Sequence, residues 1–322
     1  MYIGIDIGGT NTKFGIINEQ GLVLEKSMIP TKYDKLLFLE SLTAIILKYK
    51  NSNSGIKGIG ISAPGIIQKN GLLITAGAIK TLYGVNLKLE IESRTNLPTV
   101  IENDANAAAI AEKWVGNAKN FENYLCLVLG TGIGGGIILN NQVYRGGHGM
   151  AGEFGWMMID TLPEQRNLES VSLNQRAAVV GGLCHQYALA MKKLDSGYVE
   201  ILDAKEIINK ALENDVVASK VVSEFYRDLS VGVLNLIGCF DPEAILIGGG
   251  ISENEKFMID FIKSLKLLES RHASLNYIKE KIPVKIIPAK CKNDAGMIGA
   301  VYQIIQELKL GSGRVTSQKK AL

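Results

Sequence analysis

Tyr2-Ile3-Gly4-Ile5-Asp6-Ile7-Gly8-Gly9-Thr10-Asn11-Thr12-Lys13-Phe14-Gly15-Ile16-Ile17 opens the chain. Tyr2 to Ile7 reads as a strand carrying one acid, Asp6, and Lys13 to Ile17 resumes strand character directly after the glycine turn. Asn18-Glu19-Gln20-Gly21 turns the chain again before Leu22-Val23-Leu24. The loop therefore opens another strand and not a helix, which excludes a Rossmann or Walker A reading. Glycine imposes no Cβ, so the backbone N–H groups of Gly8 and Gly9 can approach a phosphate closely. Thr10 and Thr12 add hydroxyl donors, Asn11 and Lys13 flank them, and Asp6 can hold Mg²⁺ through water. Taken alone, the stretch reads equally well as a simple hairpin turn.

The same pattern recurs. Tyr124 to Leu129 is a strand, Gly130-Thr131-Gly132-Ile133-Gly134-Gly135-Gly136 follows, and Ile137-Ile138-Leu139 resumes the strand before an Asn140-Asn141 turn. This internal repeat predicts a duplicated α/β fold with a second phosphate-type loop, at Thr131 and Gly132, set across a cleft from the first. Between the copies lies Pro98-Thr99-Val100-Ile101-Glu102-Asn103-Asp104-Ala105-Asn106. It reads as a short buried strand followed by an alanine-rich helix, with Asn103 or Asp104 as the cap. Ligands of α/β folds sit outside the carboxyl ends of strands, so Asp104 is placed to act as a general base or merely to cap the helix. The strand Ile56–Ile61 ends in Ser62-Ala63-Pro64-Gly65, and 71–80 is a glycine-punctuated loop that includes Gly77. The loops at Gly9, Gly65 and Asp104 then meet at one sheet edge. Helices are expected over 36–49 and 87–95.

The 322 residues are 47% hydrophobic and 21% charged, with 35 Gly and 7 Pro, a composition for two ordinary domains with ample core. A net charge of +3 without a basic block argues against nucleic acid. No run approaches the ~18 apolar residues of a membrane span. Cys126, Cys184, Cys239 and Cys291 are scattered without paired spacing, and no signal-peptide pattern opens the chain, so a cytoplasmic protein is expected. Further on, helices are expected over 203–212 and 216–239, the second broken by Asp241-Pro242. Strands follow at 244–247 and 284–288, and a helix at 295–308 crosses back to the first domain. The basic stretch 311–322 reads as a disordered tail.

Four motifs in one order carry a family resemblance: Asp6-Ile7-Gly8-Gly9-Thr10-Asn11, Glu102-Asn103-Asp104-Ala105-Asn106, Gly130-Thr131-Gly132-Ile133-Gly134-Gly135-Gly136 and Ala151-Gly152-Glu153-Phe154-Gly155. Together they resemble the ROK family of bacterial sugar kinases and sugar-responsive repressors, of the actin-like ATPase superfamily. The resemblance implies transfer of the ATP γ-phosphoryl to a sugar hydroxyl, with Mg²⁺. It assigns Asp104 as base, Asn103 and Glu153 as sugar ligands, and Gly248, Gly249 and Gly250 as neighbours of the adenosine. It further implies a homodimer, and domains at 1–117, with the helix 297–310 returning to it, and 118–296.

Where many members have a zinc- and sugar-binding histidine this chain has Trp156, and no cysteine lies between Asp160 and Ala178. No zinc is therefore expected. Trp156 offers a face for stacking on a sugar, or packs in the core. With Ser62, Pro64, Gly65 and the Gly77 loop, it points to the family's β-glucoside kinases, acting on C6 of disaccharides such as cellobiose or gentiobiose. An N-acetylmannosamine kinase or glucokinase is the alternative. A repressor is disfavoured because Tyr2 already begins the first strand, and an ATPase without a sugar acceptor is disfavoured by Asn103 and Glu153. His148 is expected near the sugar entrance, and Glu169 near the family's last sugar-binding glutamate.

Overall fold

Two five-stranded sheets share one plan. The first is built from β1 (Tyr2–Ile7), β2 (Asn11–Ile17), β3 (Val23–Pro30), β4 (Ile59–Ala63) and β5 (Thr99–Asn103) in the order β3-β2-β1-β4-β5. The second is built from β6 (Tyr124–Leu129), β7 (Ile133–Leu139), β8 (Gln142–Val143), β9 (Ala244–Gly248) and β10 (Lys285–Pro288) in the order β10-β9-β6-β7-β8. In each, an antiparallel hairpin (β1–β2, β6–β7) is extended on its first strand by two parallel strands. The computed structural model describes residues 1–165 and 167–319.

By their contacts the residues fall into two units, one of 1–120, 142–151 and the chain from Asn293, the other of Phe121–Asn141 and Gly152–Lys292. In the first unit, α1 (Lys35–Ser52) starts at Asp34, whose carboxylate accepts the Leu37 N–H at 3.0 Å. Its Phe38, Leu42 and Ile46 share a core with Ile3, Ile5, Ile59 and Ile61 of the sheet. Each such fully buried side chain is worth about 1.5–3 kcal/mol. α2 (Leu87–Thr95) lies between an Asn86 cap and a left-handed Asn96, and α3 (Asp104–Trp114) follows β5 without a linking residue.

The last helix, α10 (Ala295–Lys319), packs on β1, β4 and α3. Its approach is backbone to backbone. A Cβ at Gly60 of β4 would overlap the Ala300 carbonyl, and one at Gly299 would overlap the Ala107 carbonyl of α3. The helix runs on past Gly311, where the sequence predicts a tail. Extending a formed helix avoids the cost of nucleating one, so the glycines do not stop it there. Residues 320–322 of that expected tail lie outside the described residues.

The second unit carries α4 (Leu173–Ala177), α5 (His185–Lys192), α6 (Ala204–Leu212), α7 (Val216–Phe240), α8 (Glu255–Arg271) and α9 (Ala273–Ile278). A single π-helical stretch, Val179–Cys184, precedes α5. α7 ends where Asp241 turns left-handed (φ 45°) ahead of Pro242. Phe225, Phe257 and Phe261 bury its contact with α8. Among the described residues no helix is long and apolar enough to cross a membrane.

Candidate active site

Strand register sets the first half of the site. Lys13 pairs with Asp6, Asp6 with Ser62, and Ser62 with Glu102, so four polar residues form one row across β2, β1, β4 and β5. Asn103 and Asp104 follow at the end of that row. Ser62 Oγ lies 2.9 Å from Asp6 Oδ1, and Lys13 Nζ is 3.9 Å from Asp6 Oδ2. Lys13 also donates to the Asn293 carbonyl at 3.2 Å. Burial pushes the Asp6 carboxyl above the usual aspartate range; the Ser62 hydrogen bond and Lys13 pull it down, and Asp294 adds to the rise. Gly296 sits so close that a Cβ there would overlap the Asp6 carboxylate.

Backbone bonding orients the first glycine turn. The carbonyls of Gly8, Gly9 and Thr10 accept from the Thr31 hydroxyl (2.8 Å), the Tyr33 hydroxyl (2.7 Å) and the Thr31 N–H (2.9 Å). In a trans peptide the N–H points opposite the carbonyl before it, so the N–H groups of Gly9, Thr10 and Asn11 face away from Thr31 and Tyr33. Successive outward amides of this kind can make an anion cradle. The buried Thr12 hydroxyl lies 2.9 Å from Thr31 Oγ1, and the two brace the turn. Ser62, expected at the substrate, is fully buried with its Oγ 2.9 Å from Asp6 Oδ1.

At the end of β5 the two capping candidates separate. Asn103 is the cap, its Oδ1 accepting the Ala105 and Asn106 N–H groups at 3.0 Å each. Its Nδ2 donates to the Gly65 carbonyl at 3.0 Å, which ties the Pro64-Gly65 loop to the strand end and leaves one amide N–H for a ligand. Asp104, the first residue of α3, is exposed, and its Oδ1 accepts the Ala105 N–H at 2.8 Å. Gly65 (φ +93°) passes against Thr75, whose Oγ1 accepts the Ile66 N–H, and Gly77 passes against Pro64, so both loops are joined. Glu102, its side chain 4% exposed, pairs with Arg145 and accepts from Asn106 Nδ2 at 3.2 Å. Sequence reasoning missed Arg145. Two residues on, Gly147 and His148 are exposed, and Gly149 lies against the Ile67 carbonyl.

The second unit repeats the device. The Gly130 carbonyl accepts from Val179 and Val180 (3.0 and 3.2 Å), the Thr131 carbonyl from Gly181 (3.1 Å) and the Gly132 carbonyl from Gly130 (2.9 Å). The π-helical stretch, a feature frequent at functional sites, thus supplies the amides that turn the Thr131 and Gly132 N–H groups outward. Gly249 adopts φ +90° where a Cβ would overlap the Leu129 carbonyl, so the end of β9 lies directly against β6; Gly248 and Gly250 have room around them.

Glu153 is half-buried, and burial raises its carboxyl above the usual glutamate range. Trp156 is 53% exposed and is not a core residue. It lines a pocket of about 410 Å³ with Met158, Glu169, Ser172, Asn174 and Gln175, which brings Glu169 beside Trp156. Among the described residues no group of three or more His, Cys, Asp or Glu is placed to hold a metal ion.

Two sheets of one plan, each with a carbonyl-braced glycine hairpin, define the actin-like ATPase fold. The ROK family matches residues 2–307, and the chain belongs to that family. It is 36% identical over 304 residues to the beta-glucoside kinase of Listeria monocytogenes, covering 94% of this chain and 96% of that protein. Among solved structures, a ROK family protein from Streptococcus pneumoniae in complex with sucrose matches with TM-score 0.80 and 28% identity, covering 96% of this chain and 99% of the other. A ROK family glucokinase from Streptomyces griseus in complex with glucose and AMPPNP matches with TM-score 0.74 and 27% identity, covering 95% and 99%.

Proposed function

We propose that this ROK-family sugar kinase transfers the γ-phosphoryl of ATP to the C6 hydroxyl of a β-glucoside such as cellobiose or gentiobiose. The observation that carries the base assignment is Asp104 itself. Asn103 caps α3, and the exposed Asp104 carboxylate stands at the head of the helix with one oxygen on the Ala105 N–H at 2.8 Å. In this reading Asp104 accepts the hydroxyl proton as the sugar oxygen bonds to the γ-phosphorus, while the bond from that phosphorus to the β–γ bridging oxygen breaks and ADP leaves. Little covalent chemistry is asked of the protein; positioning and charge neutralisation do the rest.

Asp6, Lys13 and the outward amides of Gly9 and Thr10 suit phosphate oxygens, and the outward amides of Thr131 and Gly132 in the second unit have the same chemistry. Mg²⁺ fits this donor set, because it keeps most of its waters and needs one or two carboxylates besides the phosphates. A cation beside Asp6 would offset the burial that disfavours its charge. Asp6 would hold it through water, and the ion would neutralise phosphate charge. In this reading Asn103, beside the joined Pro64-Gly65 and Gly77 loops, would offer a polar partner to sugar hydroxyls, and Glu153 and Glu169 of the second unit would do the same. The exposed Trp156 face suits the second ring of a disaccharide, in keeping with the beta-glucoside kinase relatives.

The deciding experiment measures ADP release with cellobiose, gentiobiose, glucose and N-acetylmannosamine side by side. A higher kcat/KM for the disaccharides is expected. Preference for either monosaccharide would overturn the β-glucoside assignment and keep the kinase; no turnover with any of the four would overturn the kinase reading.

A further inference from the structure

Asn174, on a five-residue helix 41 positions beyond Ile133, stands between the loop assigned to ATP and the loop assigned to sugar. Its Oδ1 accepts the Ile133 N–H at 2.6 Å. That amide directly follows the outward N–H groups of Thr131 and Gly132, so the bond fixes where the nucleotide turn ends and β7 begins. A Cβ built on Gly132 would lie 3.4 Å from the same oxygen. Gly155, in the middle of the Glu153–Trp156 turn, also lies against the amide, since a Cβ there would overlap it, the same oxygen first.

The helix that carries Asn174 is held on three sides. The Leu173 N–H donates to the Met157 carbonyl at 2.8 Å, and the Ile159 N–H to the Val171 carbonyl at 3.0 Å, which fastens the start of α4 to the chain just after Trp156. Ser172 caps α4 at Gln175. Arg176 Nε donates to the buried Asp228 of α7 at 2.8 Å, and Leu173 packs on Gly232 of the same helix. Arg176 and Leu173 thus tie the helix of Asn174 to α7, while its start is fastened to the chain after Trp156. A displacement of the Glu153 turn by a bound sugar reaches the amide through Gly155, and passes to the nucleotide turn through Ile133.

We infer that Asn174 is a positioning residue that couples the sugar loop Glu153–Trp156 to the nucleotide loop Gly130–Gly132, so that each substrate tightens binding of the other. The inference rests on the sugar kinase reading above, and it adds a coupling that neither loop shows alone. Coupling of two sites is reciprocal and commonly amounts to about 5-fold or more in affinity.

The test uses the full chain and the best sugar from the ADP-release assay. AMPPNP binding is measured by calorimetry with and without that sugar, alongside KM for ATP at low and saturating sugar. The wild type is expected to bind AMPPNP at least about 5-fold more tightly with sugar present. Asn174→Ala is expected to bring that ratio close to one. Asn174→Asp keeps an acceptor for Ile133 and is expected to retain most of it. Gly155→Ala, which pushes the amide aside without changing it, is expected to abolish the ratio too. Ser230→Ala, which removes a buried hydroxyl bonded to the Tyr226 carbonyl (2.7 Å) in α7, lowers Tm and leaves the ratio intact. A wild type without synergy, or an Asn174→Ala enzyme that keeps it, would overturn the coupling while leaving the kinase standing. Absence of turnover with every sugar would overturn the kinase reading and the coupling with it.

Discussion

Ser62 Oγ and Asp6 Oδ1 lie 2.9 Å apart, a hydrogen bond between neighbouring parallel strands that holds a half-buried carboxylate at the mouth of the first glycine turn. Burial raises the Asp6 pKa above its ordinary value. Between the two values the folded protein keeps a proton that the unfolded chain has lost, so stability falls as pH rises through that window. The cost persists in full above it. Asp6→Asn is therefore expected to raise Tm at neutral pH, with the gain vanishing below about pH 4, the ordinary aspartate value. Activity should fall by about 100-fold. Thermal melts across pH, with ADP release alongside, check both halves.

Asp104→Asn should cut kcat by about 10²–10⁴-fold, the usual worth of a positioned base, and leave sugar affinity nearly unchanged. Asn103→Ala differs in kind. It removes a helix cap worth about 1 kcal/mol and frees the Gly65 carbonyl, so both Tm and sugar affinity should drop. Calorimetric sugar titration separates the two variants, and full kcat in Asp104→Asn would remove Asp104 from the chemistry.

If Glu153 binds sugar hydroxyls as proposed, its carboxylate offers two accepting oxygens, and protonation turns one of them into a donor. Because burial raises its pKa, KM for sugar should climb as pH falls through that raised value, before ordinary glutamates titrate. Glu153→Gln should show a higher KM that is flat over the same range. The measurement is a pH profile of kcat/KM for both proteins.

Trp156→Ala should raise KM for a disaccharide by about 3–10-fold, the scale of one aromatic contact, with glucose much less affected. Equal losses on both substrates would mean that the ring serves the first sugar or the pocket wall.

Arg145→Ala should destabilise the fold by about 1–3 kcal/mol, because it strands the Glu102 carboxylate behind Asn103 and Asp104. Adding Glu102→Gln should recover most of that loss, and urea midpoints of the two variants check it.

The hairpins were legible because a glycine-threonine turn between two period-2 apolar runs has few other readings. Asn140 and Asn141, read as a turn, both take left-handed φ (52° and 62°). The capping question at Asn103-Asp104 stayed open in the sequence, since either side chain reaches a first-turn amide; only the placement of Asn103 between Ala105 and Gly65 decides it. The partners of Ser62 and Thr12 were hidden for a related reason. A serine or threonine in a polar loop looks available until its partner is known, and those partners, Asp6 and Thr31, lie 56 and 19 residues away. Arg145 with Glu102, and Asn174 with Ile133, are separated by 43 and 41 residues, so nothing local marks them. The helices α5, α8 and α9 carry no residue of the motifs, and the sequence reading did not assign them.

The glycine-to-backbone seat of α10 on β4 and α3 has a consequence for biosynthesis. A ribosome releases β1 to α3 first, then the whole of the second unit, and only afterwards the helix that covers the first sheet. Until then the face around Gly60 and Ala107 stays bare, and it is shaped for one close-fitting helix. The nascent first unit must wait with an uncovered seam while the rest of the chain emerges, a period in which chaperones are expected to hold it.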